Sequence, residues 1–435
     1  MLIKILNIFR NQAAITILLL LVGYPAAAQM NIEGEFRARW YSDHFYLTRD
    51  GRGAENYLRY SGRLHGKTKI TNQASFVTEL VLLTDNTNPS TNATLATARN
   101  IAGTGALRYG VSEIYAELAQ PNFILFDVAR IRVGRQQFPI GNGLSFGESY
   151  VSNKFDGGRL DLSRNIFTLS LFGAITGQNV SASGLYPDPG SDQVYIARLG
   201  AEALKQDIMT YFILHKFRGL FNDSYIVGAG SSGEVIVPKL EYFWEAAYQK
   251  FNTAPGLPEK GGIGYMLGGA YQWSMGPFKS LKLESRYAAY QGDDPKTKMI
   301  EQFSPLYPSF YWGARTGYVD GDVGGDYPNN GRNLEGSRIW FTRFYFVPKI
   351  VPRARIQFQY VKVGEWKNID NVNFMDDEIG ARIYYTFSTQ VQTQFRYTYT
   401  IANDGDHDVY PTGAISSTED RYNVSSYMFE IQVRF

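Results

Sequence analysis

Cysteine is absent from the chain. That excludes a disulfide framework, thiolate metal sites, a cysteine nucleophile and a lipidated N-terminal cysteine. Histidine is scarce, with four copies in 435 residues. A charge imbalance is missing too, since 43 Lys and Arg face 41 Asp and Glu, so nothing electrostatic points to a nucleic-acid partner. Charged residues make up 19% of the chain and aromatics 15%, too little charge and too many rings for disorder. No apolar run is long enough to cross a bilayer as a helix. These absences leave two candidates, a large soluble all-β protein and a membrane barrel.

Residues 1–28 read as an export signal. Lys4 and Arg10 are the only charges before residue 33, an apolar run covers Ala13 to Val22, and Gly23-Tyr24-Pro25-Ala26-Ala27-Ala28 supplies small residues at a cleavage site. Cleavage is expected before Gln29, leaving 41 basic against 41 acidic residues over 407 positions. The mature chain, 29–435, shows no internal boundary and reads as one domain.

After residue 29 the dominant period is two. Tyr427, Phe429, Ile431, Val433 and Phe435 oppose Met428, Glu430, Gln432 and Arg434. Ile32, Gly34, Phe36, Ala38 and Trp40 oppose Glu33, Glu35, Arg37 and Arg39, and Val391 to Tyr399 repeats the pattern. Successive strand side chains point to opposite faces, so such segments meet oil on one side and water on the other. On this basis eighteen strands are expected near 32–41, 58–70, 74–84, 111–119, 123–135, 155–162, 166–175, 192–204, 207–217, 223–236, 240–250, 264–273, 280–291, 337–347, 354–362, 376–387, 391–401 and 422–435.

The connections sort by parity. Linkers after odd strands are long (42–57, 85–110, 136–154, 176–191, 251–263, 292–336, 363–375, 402–421), with 218–222 the exception, whereas those after even strands are tight, as at Thr71-Asn72-Gln73, Gln120-Pro121-Asn122 and Lys205-Gln206. An even strand number with short turns on one side and long loops on the other is the pattern of a bacterial outer-membrane barrel. The expected fold is therefore all-β: a single transmembrane antiparallel β-barrel in the outer membrane of a Gram-negative bacterium. Both termini and the short turns would be periplasmic and the long loops extracellular. Trp40, Tyr41, Trp273, Trp340, Tyr360 and Phe435 suit interfacial girdles. An open sheet cannot stand in lipid, because each unpaired backbone polar group there costs several kcal/mol.

If the apolar face meets lipid, the polar face lines the lumen. Alternation then turns inward Arg37, Arg39, Arg59, Arg63, Lys67, Lys69, Arg130, Arg132, Arg159, Arg198, Lys282, Arg286, Arg343, Arg355, Arg382, Arg396 and Arg434. The acidic set on the same faces is Glu33, Glu35, Glu79, Glu113, Glu117, Asp161, Glu202, Glu241, Glu245, Glu284, Glu378 and Glu430. Arginine dominates, the side chain that grips carboxylate or phosphate through two parallel hydrogen bonds. These charges can equally pair across the wall and hold its shape. Strands 7, 9, 10 and 12 are too mixed or too Gly-rich for a lumen assignment. A ring of eighteen strands leaves a channel unless something folds inside, and linker 292–336, with Pro305-Leu306-Tyr307-Pro308-Ser309-Phe310-Tyr311-Trp312, is the expected constriction or lid.

Other motifs carry less. Gly228-Ala229-Gly230-Ser231-Ser232-Gly233 fits a dinucleotide fingerprint but sits in strand alternation with no helix after it, so its glycines are expected to mark a bend or thin spot in the wall. Asp320-Gly321-Asp322 and Asp404-Gly405-Asp406-His407-Asp408 lack the spacing of a calcium loop. His44, His65, His215 and His407 are scattered, and nothing marks a nucleophile beside His65. No enzyme, cofactor or metal is expected.

Two stretches resemble the alginate export family of outer-membrane barrels. One is Val133-Gly134-Arg135-Gln136-Gln137-Phe138-Pro139-Ile140-Gly141 with Phe155-Asp156-Gly157-Gly158-Arg159-Leu160. The other is Phe303-Ser304-Pro305-Leu306-Tyr307 with Gly317-Tyr318-Val319-Asp320 and Asn333-Leu334. The resemblance implies an eighteen-stranded monomeric channel passing a polyanionic polysaccharide outward, with Gly134, Arg135, Gln136, Phe155, Asp156, Gly157 and Arg159 as motif residues. It also implies a bulge near Gly134, because simple alternation puts Arg135 on the lipid face. The leading expectation is thus a channel for hydrophilic, anionic solutes, with polysaccharide export as its sharpest form. The alternatives are a nutrient-uptake porin of the same shape and a plugged barrel acting as an adhesin or anchor. Expected partners are outer-membrane lipid and lipopolysaccharide outside and an anionic or neutral solute inside. A periplasmic partner is left open.

Overall fold

The computed structural model describes residues 29–47, 52–85, 107–146, 154–175, 192–216, 223–235, 239–252, 259–292, 300–301, 303, 337–365, 375–402 and 422–435. The export signal, most of linker 292–336 and both Asp-rich loops lie outside these residues, as do His407 and the side chain of His44.

The strands are β1 (Gln29–Leu47), β2 (Arg52–Lys69), β3 (Ala74–Asp85), β4 (Leu107–Phe123), β5 (Phe126–Gln137) and β6 (Lys154–Arg164). They continue with β7 (Phe167–Ile175), β8 (Gln193–Ala203), β9 (Gln206–Lys216), β10 (Ser224–Glu234), β11 (Leu240–Phe251) and β12 (Lys260–Met275). The rest are β13 (Phe278–Tyr290), β14 (Ile300–Glu301), β15 (Ser337–Pro348), β16 (Ala354–Glu365), β17 (Met375–Thr386), β18 (Val391–Ala402) and β19 (Tyr422–Arg434). Each wall strand pairs antiparallel with its chain neighbours, β13 pairs with β15, and β19 pairs with β1 from Glu35↔Arg434 to Leu47↔Tyr422. The seam closes an eighteen-strand ring. The two-residue β14 is an addition, parallel to the start of β12.

Closure leaves no bare edge, which lipid requires. The outward face is oily and exposed, as at Trp40, Leu171, Leu199, Phe212, Trp244, Leu267, Phe358, Ile383, Phe395 and Phe429. At about 25 cal/mol per Å², so large an apolar surface needs hydrocarbon rather than water around it. Among the described residues no helix is long and apolar enough to cross a membrane; the strands do the crossing. Aromatics band the outer wall at two heights. Trp273, Tyr271 and Phe344 pack together near the short turns, and Trp340 meets Tyr360 edge-on at 6.3 Å near the long connections.

The turns keep the expected parity. β8 and β9 are joined by Leu204-Lys205 alone, both with positive φ (49° and 63°), the twist that suits a two-residue hairpin. Lys205 is tied to Glu234 at 2.5 Å. One expected long linker shrinks, since β1 and β2 remain paired through Tyr46↔Arg52 and most of 42–57 is strand. The sequence missed this because residues 42–57 mix polar and glycine residues without clean alternation.

Candidate functional site

The candidate site is the lumen, and its lining is divided. On β17 to β19 and β1 to β6 the inward positions carry charge. Arg37 pairs with Glu35 at 2.5 Å, Arg39 pairs with Glu430, and Gln432 donates to Glu35 at 2.6 Å. Glu79 gathers Arg63 and His65, each at 3.6 Å, and accepts from the Ser112 hydroxyl at 2.5 Å. Ser112 reaches it from a bulge in β4, where the register slips between Glu79↔Glu113 and Leu80↔Val111. Arg132 meets Glu117 at 2.5 Å, and Arg159 meets Asp161 at 2.8 Å. The track continues along the short-turn half of β13 to β16. There Glu284 holds Arg286 at 2.5 Å and accepts from Tyr345 at 2.6 Å, while Arg355 lies over the Tyr384 ring at 4.1 Å.

Three cross-strand register pairs in this region join arginine to arginine: Arg382↔Arg396, Arg132↔Arg159 and Arg39↔Arg59, the side chain of Arg59 lying outside the described set. Like charges directly opposite each other destabilise a sheet, so a wall built for stability alone would not place them so. Arg343 and Arg355 make no ion pair among the described residues; both instead lie over aromatic rings.

The long-connection half of β6 to β16 is different. Its inward positions are largely apolar, with His215, Ser224, Gln249 and Ser337 buried at its rim: Phe155, Phe172, Val194, Ile196, Met209, Ile213, Ile226, Met266, Ile339, Phe341 and Val361 form one buried cluster. Charges here retreat toward the short turns, as Arg198–Asp207 (3.3 Å) and Lys282–Glu241 (3.0 Å), with Glu202 nearby. What covers this cluster is residues 138–146, which leave the end of β5 and fold inward. Phe138, Ile140, Leu144 and Phe146 are each at most 1% exposed. Phe138 stacks on Phe172 at 4.8 Å, and Phe146 packs on Phe155 at 5.2 Å. The segment closes on itself, with the Ile140 N–H donating to the Phe146 carbonyl at 2.8 Å and the Gly143 N–H to the Ile140 carbonyl at 3.1 Å. Its turn runs through Gly141 and Gly143 at φ +55° and +85°, and a Cβ on Gly141 would sit 1.9 Å from Met209 Cε. Only glycine fits there.

The tip of the segment reaches β11, six strands round the ring. Glu245 Oε2 accepts the N–H of Asn142 at 2.7 Å and of Leu144 at 3.5 Å. Its Oε1 accepts the Tyr211 hydroxyl at 2.8 Å. Tyr211 comes from β9 and leans across β10. The wall is thin there, since a Cβ on Gly228 would lie 2.2 Å from the Tyr211 ring and one on Gly230 2.7 Å from Met209 Cε.

The sequence-predicted residues fall as follows. The structure brings many of the charged side chains assigned inward together in ion pairs, as Arg39 with Glu430, Arg132 with Glu117 and Arg159 with Asp161. They are concentrated in one sector. β7, β9, β10 and β12, which the sequence left without a lumen assignment, carry mostly apolar residues and glycine on both faces. Glu245 faces inward, but backbone N–H groups occupy its carboxylate. The inward segment found is 138–146, within expected loop 136–154; of linker 292–336, Phe303 is buried in the same cluster, beside Tyr290. The signal was present in Phe138, Ile140, Leu144 and Phe146, whose period of two continues past the strand end. His215 is buried on β9. Of the motif residues, Gly134, Gln136, Phe155, Gly157 and Arg159 take inward positions and Asp156 an outward one. Arg135 corrects an expectation. No residue is inserted at Gly134, the register Ile114↔Arg135↔Asp156 is unbroken, and Arg135 stays outward, bidentate to Asp156 at 2.7 and 2.9 Å. Gly134, at φ +131°, absorbs the local distortion within the regular pairing. Among the described residues no group of three or more His, Asp or Glu could hold a metal ion.

A closed antiparallel ring, oily outside and charged along one sector within, defines the class: a transmembrane β-barrel of the outer-membrane kind. Among solved structures the chain is similar to Pseudomonas aeruginosa OccK2 (OpdF) in complex with glucuronate, with a TM-score of 0.55 and 10% identity over 93% of this chain and 98% of that one. It is also similar to Acinetobacter baumannii OccAB4 (TM-score 0.54, 11% identity, 93% and 98% covered) and to Pseudomonas aeruginosa OccK5 (OpdH) (0.52, 10%, 93% and 98%). No protein-family model and no curated protein matches the sequence. The resemblance to the alginate export family is thereby overturned: the structural neighbours are Occ barrels, and at about 10% identity they establish the fold. Short motif stretches misled because turn and strand-end chemistry recurs among barrels of equal strand number.

Proposed function

We propose that the protein is a passive channel taking small, hydrophilic, carboxylate-bearing solutes across the outer membrane, in the direction of uptake. The observation that carries this reading is the pair Arg382↔Arg396, two buried arginines placed side by side on the inward wall. An anion entering beside them meets two adjacent guanidinium groups, and a planar guanidinium binds carboxylate with two hydrogen bonds. Arg132↔Arg159, with Arg343 and Arg355, which make no ion pair among the described residues, extend the same track. The similarity in fold to a barrel solved with glucuronate supports a small acidic solute over a polymer. So does the segment 138–146, which narrows the lumen to the charged side. In this reading residues 1–28 are removed on export and both termini face the periplasm, as the short turns do.

Planar-bilayer recording under a salt gradient tests the proposal. The expected result is a conductance with anion preference that glucuronate, added to one side, blocks more strongly than glucose. Cation preference, or no conductance from folded protein, would sink it.

A further inference from the structure

We infer that Glu245 is a positioning residue, a latch that holds the segment 138–146 across the lumen and so sets the width of the solute path. The inference rests on the channel reading for its consequence, though not for its geometry. A lining carboxylate would offer its oxygens to the lumen. Glu245 offers none, since Oε2 is taken by the N–H groups of Asn142 and Leu144 and Oε1 by Tyr211, and the residue is 1% exposed. A carboxylate bound by several N–H donors is a strong acceptor. The Ser145 hydroxyl lies 3.3 Å from the Tyr211 oxygen, and the Asn142 side-chain amide donates to the Trp244 carbonyl at 3.4 Å, so the same wall strands grip both sides of the tip. Without the carboxylate, two backbone N–H groups lose their acceptor inside the barrel, and the segment is held by its apolar side chains and the longer contacts of Asn142 and Ser145.

The chain has no cysteine, so a single introduced thiol reports cleanly. Leu144→Cys places one at a fully buried position of the segment. Modification of that thiol by a water-soluble methanethiosulfonate is measured alone and combined with Glu245→Gln, each form first shown to be folded by its heat-modifiable migration. The expected result is at least about tenfold faster modification in the combined variant, the effect on local opening of losing one charge-assisted hydrogen bond. Glu245→Gln by itself should raise single-channel conductance while leaving the reversal potential where it was. A lining carboxylate would do the reverse, shifting selectivity toward anions with position 144 still protected. An unchanged modification rate overturns the latch whatever the conductance does. Should the double variant not fold, the conductance of Glu245→Gln decides, a rise supporting the latch and no change overturning it. Faster modification in the combined variant, with no conductance from the folded wild-type protein, would uphold the latch and remove the channel reading instead.

Discussion

The two sectors of the lumen wall solve opposite problems with the same backbone. In the sector from β17 through β1 to β6, inward residues are charged and linked by ion pairs such as Arg39–Glu430 and Arg132–Glu117, with arginine set opposite arginine on neighbouring strands. In the long-connection half of β6 to β16, inward residues are largely apolar and are sealed by Phe138, Ile140, Leu144 and Phe146. The first sector is kept polar at a cost in repulsion, while the second behaves like the core of a soluble protein. The lesson is that the interior of a barrel is not one environment. One side is built to be packed and the other to be passed.

That contrast can be broken or sharpened by substitution, starting with stability. Phe146→Ala should cost about 3–5 kcal/mol, the loss for a buried aromatic in a packed core. Gln394→Ala, on the charged side, should cost about 1 kcal/mol. Urea unfolding from detergent or liposomes measures both, and similar losses would mean that the apolar sector is not a true core.

Next in size is Gly228→Ala. Its Cβ would fall 2.2 Å from the Tyr211 ring, so Tyr211 must leave Glu245, with an overpacking cost of about 1–3 kcal/mol. A conductance raised as in Glu245→Gln is expected, and an unchanged one would show that Tyr211 has no part in holding the segment. Arg382→Glu with Arg396→Glu, in protein shown to be folded, should lower the anion preference several-fold, moving the reversal potential toward cations. If the potential does not move, those side chains lie off the solute path. The smallest effect is expected for Arg355→Gln, whose guanidinium lies over Tyr384 with no ion pair among the described residues. Block by glucuronate should weaken by about 1 kcal/mol or less, read from the concentration dependence of current reduction.

How far the lumen could be read in advance followed the same divide. On β19, Tyr427, Phe429 and Ile431 alternate with Met428, Glu430 and Gln432 because lipid and water lie on opposite faces. On β9, Ile208, Phe212 and Leu214 face lipid while Met209, Tyr211 and Ile213 face a dry interior, so both faces read alike. The latch was illegible for a different reason. Glu245 lies 103 residues from Asn142 and 34 from Tyr211, and nothing in its strand distinguishes it from Glu241, which pairs with Lys282.

The sequence alone determined the antiparallel ring, its even strand number and the charged character of one face, because those follow from local alternation and from the length of each connection. The tertiary structure decided which part of the interior is wet, where Arg135 points and what Glu245 holds. Those depend on which strands close around which segment, and side chains a hundred residues apart meet only after closure.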